Sequence, residues 1–304
     1  MTTVVVRRVA RLLVVLGGVS LVTFTILHVS GDPVALMMPE APEADRSALR
    51  ETFGFNDPIA LQLARFLRNT ARGDFGNSFF HRVDAMGLVL ERMPTTLMLT
   101  VLALGASLLV AVPAGILSAV RRDSLLDHAV TVVVFVGQSM PVFWTGIMLM
   151  LLFAVQWRVL PVSGWDSWAS LVLPAVTLGS FQAPLLLRIV RSSMLEVIGL
   201  DYVRTARAKG VSEWFVICRH ALVNAALPLV TVTGLQFGLL LGGAVITETV
   251  FAVPGVGRLV VGAIRQLDFP VVQAAVFVFA TLIVMVNFAV DMLYVWLNPQ
   301  VRVG

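Results

Sequence analysis

Six stretches of this chain lack Asp, Glu, Lys and Arg altogether: 12–31, 93–120, 128–157, 167–187, 220–247 and 269–290, each of 20 to 30 residues. A helix rises about 1.5 Å per residue, so ~20 apolar residues cover the ~30 Å of hydrocarbon in a bilayer. No other charge-free stretch reaches that length. Inside lipid every backbone N–H and C=O must be paired, and only helices and closed barrels achieve this. Barrel strands would alternate apolar and polar residues over about 10 positions, and these runs do not. The sequence therefore predicts an all-α, polytopic membrane protein with six transmembrane helices. Composition agrees: 58% of the residues are hydrophobic and 13% charged, against roughly 45–50% and about 25% in a soluble domain. An ordinary cytosolic enzyme, a disordered chain and a disulfide scaffold are excluded, the last because Cys218 is the single cysteine.

The arginines set the orientation, since cytoplasmic flanks of spans are rich in Lys and Arg. One set of flanks comprises the N-terminus, 121–127, 188–219 and the tail, and it holds 12 basic residues, among them Arg7, Arg8, Arg11, Arg121, Arg122 and Arg302. The short loops of the opposite set, 158–166 and 248–268, hold three: Arg158, Arg258 and Arg265. Both termini are thus expected in the cytoplasm. The first run is longer than the ~7–15-residue core of a signal peptide and has no A-x-A-like site, which predicts an uncleaved anchor. Because the basic residues lie in short clusters between apolar runs, the net charge of +4 does not point to nucleic acid.

Two segments lie outside the spans. Residues 32–92 form an extracytoplasmic domain. There Asn56-Asp57-Pro58 predicts a helix start with Pro58 at the first position, Ile59, Leu63, Phe66 and Leu67 follow at helical spacing, and Gly73 can end the helix. The second segment, 188–226, is long for a connection between spans.

Several chemistries are missing. The one lysine, Lys209, is followed by Gly210, so the chain has no phosphate-cradling loop of the G-K-[ST] kind. His28, His81, His128 and His220 are dispersed and lack a metal-site spacing. A Ser139–His128 protease pair is disfavoured because His128 stands at the start of its span. Glu248 and Asp291 fall near span ends, so no carboxylate or histidine is expected at mid-membrane, where an ion-driven carrier would hold one. No catalysis is expected on this chain, and the energy for transport must come from elsewhere or the pathway is passive.

The most informative stretch runs Asp201-Tyr-Val-Arg204-Thr205-Ala206-Arg207-Ala208-Lys209-Gly210-Val-Ser212-Glu213. Asp201 can cap a short helix, Gly210 can stop it in the left-handed conformation, and Ser212 can start the next. A helix–turn–helix knob results, with small residues for close approach and arginines for directional hydrogen bonds. A solvated basic loop that only satisfies the positive-inside preference fits the same residues.

Arg204-Thr205-Ala206-Arg207-Ala208-Lys209-Gly210, with His220-Ala221-Leu222 and Leu227-Pro228, resembles the cytoplasmic EAA loop of ABC importer permeases in the dipeptide, oligopeptide, nickel and glutathione branch. Gly31-Asp32-Pro33, Phe53-Gly54-Phe55-Asn56-Asp57-Pro58, Gly73-Asp74-Phe75-Gly76, Arg92-Met93-Pro94-Thr95-Thr96-Leu97, Leu173-Pro174-Ala175, Thr247-Glu248-Thr249-Val250-Phe251, Pro254-Gly255-Val256-Gly257-Arg258 and Asn298-Pro299 are similar to that branch as well. Two departures stand out: Arg204 and Thr205 replace the Glu and Ala of the general motif, and Pro228 comes late after Gly210. The resemblance implies the type I importer permease fold in a bacterial inner membrane. It divides the chain into a cytoplasmic end and first span (1–31), the extracytoplasmic domain (32–92) and a permease core (93–304). It further implies a homologous second permease, two ATP-binding subunits that carry ATP and magnesium, and an extracytoplasmic solute-binding protein. This chain itself would hold no cofactor and no metal. Asp201, Arg204, Thr205, Ala206, Arg207, Lys209 and Gly210 would form the coupling contact with an ATPase. A stand-alone channel or an ion-coupled carrier is the alternative.

Candidates for a transport pathway are Gln138 and Ser139, beside Pro141, and Gln236, which lies among Gly234, Gly238, Gly242 and Gly243. Polar groups in a span either line a route for solute or bond to a neighbouring helix, and glycines four apart serve helix packing.

Overall fold

The computed structural model describes residues 2–29, 34, 42–53 and 56–297. Gly31-Asp32-Pro33, Gly54-Phe55, Asn298-Pro299 and Arg302 lie outside the described residues, as do the side chains of Arg7, Arg8, Arg11 and Asp291. Among the described residues the structure is helical, with one isolated bridge between Asn77 and Asp84. The chain divides into two compact units, one of Met1–Pro94 with Gly255–Val284, the other of Thr95–Pro254 with Met285–Gly304.

The first unit contains α1 (Thr2–Val29), α2 (Glu43–Phe53), α3 (Ile59–Thr70), the start of α4 (Ala85–Val120), α11 (Val256–Arg265) and most of α12 (Phe269–Leu297). Phe24 of α1 and Phe66 of α3 pack with ring centroids 5.7 Å apart. Pro58 stands one position earlier than expected, as the N-cap of α3, because the Asp57 carbonyl and carboxylate accept from Gln62 (2.8 Å) and Arg65 (2.7 Å) and fix the chain just before it. Past α3, Gly73 (φ +75°) donates to the Thr70 carbonyl and closes the turn. The next turn buries Phe75 against Phe277 at 5.3 Å. Buried Asp268 accepts from the Ser78 hydroxyl and from the Phe79 N–H at 3.0 Å, tying residues 78–79 to the α11–α12 connection.

The second unit is built around α7 (Trp168–Ile198). Its apolar span is 72% buried, against 28% for α4 and 33% for the run ending in α10 (Leu222–Val250). Leu186, Leu187, Val190 and Met194 of α7 form the main core with Ala111 and Ala119 of α4, Ile217, Ala221, and Ala225 and Leu229 of α10. Glycines set the closest approaches. A Cβ on Gly179 of α7 would lie 2.5 Å from the Ala103 carbonyl of α4.

The run expected as one third span is two helices, α5 (Leu125–Ser139) and α6 (Val142–Leu149), the latter continuing as π-helix over Met150–Gln156. They meet at 105°. Pro141 causes the break: it has no N–H to donate, and it drives Met140 out of the helical region to φ −106°, ψ 144°. Among the described residues four helices are long and apolar enough to cross a membrane, five if the bent pair is one span, and α1 adds a shorter apolar stretch at Leu12–Ile26. Each of the six runs thus maps onto a helix or a bent pair. The segment 188–226 is less of a loop than expected. Residues 188–198 complete α7, because Val190 and Met194 continue its buried face. Residues 222–226 already belong to α10.

Candidate functional site in the helical knob

Between α7 and α10 the chain forms α8 (Asp201–Ala208), a turn, the short α9 (Glu213–Phe215) and a π-helical segment, Val216–Ala221. Val203, Ala206 and Val216 are buried together, with Val197 and Val211 packed on them. This small core makes the knob a folded element. Gly210 adopts φ +77°, and a Cβ there would meet nothing within 4 Å. Glycine is therefore required for backbone conformation, as the sequence predicts, and not for space. Lys209 and Gly210 donate backbone N–H groups to the Thr205 and Arg207 carbonyls and close α8.

Arg207 holds Glu213 through two hydrogen bonds, Nε to Oε2 at 3.0 Å and Nη2 to Oε1 at 2.7 Å, bracing the turn from outside. These bonds keep the Glu213 carboxylate below its ordinary range and raise the Arg207 guanidinium further. Arg204 reaches Asp201 at 3.4 Å on an exposed face, and the Thr205 hydroxyl donates to the Asp201 carbonyl at 2.9 Å. Lys209 is exposed. Two expectations change in detail. Asp201 is the first residue of α8 and makes no side-chain cap; Leu200 is the N-cap. Ala206 faces the knob's own core, because it stands three residues after Val203 on the same side of α8.

Sequence reasoning missed the knob's apolar exterior. Trp214 is 77% exposed, with Phe215 and Tyr202 also exposed. Their signal was available: large aromatics inside an otherwise polar connection. Tyr202 donates to the His220 carbonyl (3.3 Å), and Asn224 donates to both (3.0 and 2.9 Å), which ties the knob to the start of α10.

The pathway candidates separate. Gln138 and Ser139 are exposed at the end of α5, directly before the break, and the Ser139 hydroxyl donates to the Phe135 carbonyl of its own helix at 3.1 Å. Gln236 is buried in α10. The glycines around it do not form one packing stripe. A Cβ on Gly234 would collide with Val290 of α12, one on Gly243 would meet Leu178 of α7, and Gly242 faces open space.

Two buried polar ties were also missed. Glu248, expected at an interface, is wholly buried in protein, where the Thr96 hydroxyl of α4 donates to it at 2.7 Å. Asp127 of α5 receives both Nε (3.2 Å) and Nη2 (2.8 Å) of Arg191 on α7. No spacing rule joins residues 152 or 64 positions apart.

Residues 111–303 match the family model of the binding-protein-dependent transport system inner membrane component, and residues 1–100 match the corresponding N-terminal model. The chain is 39% identical to the dipeptide transport system permease protein DppB of Escherichia coli (strain K12), with 98% of each covered. It is 39% identical to the di/tripeptide transport system permease protein DppB of Pseudomonas aeruginosa, with 99% of each covered. The glutathione transport system permease protein GsiC of Escherichia coli (strain K12) is 38% identical, with 98% of each covered. Among solved structures, the MetNI methionine ABC transporter in an inward-facing conformation aligns at a TM-score of 0.58 and 20% identity, covering 70% of this chain and 97% of the other. That likeness identifies the fold as the type I importer permease fold.

Proposed function

The chain belongs to the family of inner-membrane components of binding-protein-dependent transport systems, and from that premise we propose that it is the translocation subunit of an ATP-driven importer whose knob couples it to a separate ATPase. It is a multi-pass bacterial inner-membrane permease. In the proposed reading both termini and the knob face the cytoplasm, and a homologous second permease completes the pathway. Two ATP-binding subunits carry ATP and magnesium, and an extracytoplasmic binding protein delivers the cargo. The names of the full-length relatives favour dipeptides, or a related small solute such as glutathione, as that cargo.

The carrying observation is the knob itself. It is a folded element with its own core, braced by Arg207–Glu213 and turned at Gly210, and it presents Arg204, Thr205, Lys209 and Trp214 outward. A loop serving only charge balance needs no internal core and has no reason to hold a bulky indole in water. Movement of the ATPases would carry the knob with α7 and switch the bundle between two access states, the kind of rigid shift that packed helices support.

The test is to co-express the chain with ATPase and second-permease subunits of the same importer class from its own organism and purify it through a tag. The chain alone is expected to show no ATPase activity, yet to bring the ATPases with it. Gly210→Val forces a β-branched residue into a left-handed conformation and is expected to abolish both co-purification and uptake while membrane insertion persists. Unimpaired uptake with that substitution would refute the coupling role. Uptake by the chain alone, driven by a proton or sodium gradient, would favour the carrier reading instead.

A further inference from the structure

The knob and α7 form one packed body. Val197 of α7 packs on the Val203–Val216 core of the knob, and Ile217 and Ala221 join Leu186, Leu187, Val190 and Met194 of α7. By contrast α5, which leads to the 105° break and to Gln138 and Ser139, meets α7 through Val130 and Val134, which pack on the main core, and through Phe135, whose ring lies 5.3 Å from the Arg188 guanidinium. A groove of about 220 Å³ lies beside this contact, lined by Val133, Val134 and Gly137 of α5, Gly179 and Ser180 of α7 and Ser107 of α4, and a Cβ on Gly137 would come within 3.2 Å of the Ser180 carbonyl. Apolar packing of this kind is non-directional and sets no single register between the two helices. At its other end α5 is fastened. The Ser124 hydroxyl caps the helix by accepting the Asp127 N–H at 3.2 Å, and the Asp127 carboxylate accepts from the Asp123 N–H (3.1 Å) and twice from Arg191. Asp127 is 4% exposed. Among the described residues, side-chain hydrogen bonds join α5 to α7 at this pair alone.

We propose that Asp127 and Arg191 are positioning residues for coupling: their two-bond ion pair is the tie through which movement of the knob and α7 is transmitted to α5 and to the break at Met140-Pro141. This rests on the reading of the knob as the ATPase contact. Apolar contacts are non-directional, whereas a doubly hydrogen-bonded charge pair with a buried carboxylate fixes the position of one helix against the other. The tie sits two turns before the end of α7, next to the knob. Movement there is delivered to the near end of α5 and swings its far end, where the pathway candidates stand.

The experiment uses the assembled importer in liposomes, with Cys218 replaced by Ser and single reporters at Ala208→Cys on the knob and Val136→Cys on α5. Maleimide labelling is measured with and without MgATP and vanadate. With the native pair, both positions are expected to respond to nucleotide. In Arg191→Lys, which cannot fork onto a carboxylate, the response at 208 is expected to persist. The response at 136 is expected to fall about fivefold or more, the lower end of a coupling between sites. Asp127→Asn serves as the second variant with the same expectation. An undiminished response at 136 in both variants overturns the tie while leaving the knob reading intact. Equal loss at both positions shows that the pair merely holds the fold, and overturns it too. No response at 208 even with the native pair refutes the knob reading, and the tie falls with it.

Discussion

Arg191 on α7 and Arg207 on the knob do the same chemistry sixteen residues apart in sequence. Each grips a carboxylate with Nε and Nη2, at 3.2 and 2.8 Å for Asp127 and at 3.0 and 2.7 Å for Glu213. Their surroundings differ. The Asp127 side chain is 5% exposed and Arg191 29%, whereas Arg207 and Glu213 are 37% and 53% exposed. In the first pair the carboxylate is shielded from water while the guanidinium still reaches it. In the second, water competes for both. The glycines nearby show the same contrast. Gly179 on α7 is required because there is no room for a Cβ, while Gly210 on the knob has room and is required for its backbone angle.

The largest effect that would break this comparison is expected at Asp127→Ala. Removing one partner of a buried pair leaves the other charge without compensation, typically costing about 3–5 kcal/mol. The partial exposure of Arg191 places the expected loss at the low end, read as a fall in thermal or denaturant stability of the detergent-solubilised protein. Next comes Gly179→Ala, whose Cβ would press on the Ala103 carbonyl. Overpacking of this kind costs about 1–3 kcal/mol, and the drop should appear in the same melts. Gly210→Val should cost about 1–2 kcal/mol of backbone strain, confined to the knob, and show as faster proteolysis between residues 201 and 221 with the span melt unchanged. A smaller effect is expected for Arg207→Ala. Exposed pairs contribute about 0.2–1 kcal/mol, so a loss comparable to that of Asp127→Ala would erase the distinction between the two grips.

The smallest effect is a pH dependence. Arg207 depresses the Glu213 carboxylate below its ordinary value of 4.5. A depressed acid stabilises the fold at pH above that ordinary value, and the contribution disappears as pH falls through the lowered folded value. Melting curves of the native protein and of Arg207→Ala are therefore expected to differ most near neutrality and to converge in acid. A constant gap from pH 7 to 3 would show that Arg207 acts through packing instead.

The reading from sequence succeeded where one residue or one run decides the outcome. Charge-free length marked all six runs, and Gly210 in an otherwise helical basic segment marked the knob's turn. It failed where a helix face had to be assigned. Ala206 was expected to meet a partner, but Val203 and Val216 draw it inward. Pro141 was visible, yet whether a proline kinks a helix or breaks it depends on what surrounds the bend. Pro174 and Pro184 lie inside the unbroken α7. The exposed Trp214 went unremarked because hydrophobicity alone does not tell a buried aromatic from one held in water.

By itself the sequence determined that this chain is a membrane bundle with a basic, glycine-turned knob, since desolvating a charge in lipid and twisting a backbone to positive φ are costs that each residue carries wherever it is placed. The tertiary structure decided which charges are buried and with whom: Asp127 with Arg191, Glu248 with Thr96. A carboxylate's partner is chosen by the packing of helices that are far apart in the chain, and that packing rests on many apolar contacts that no local pattern records.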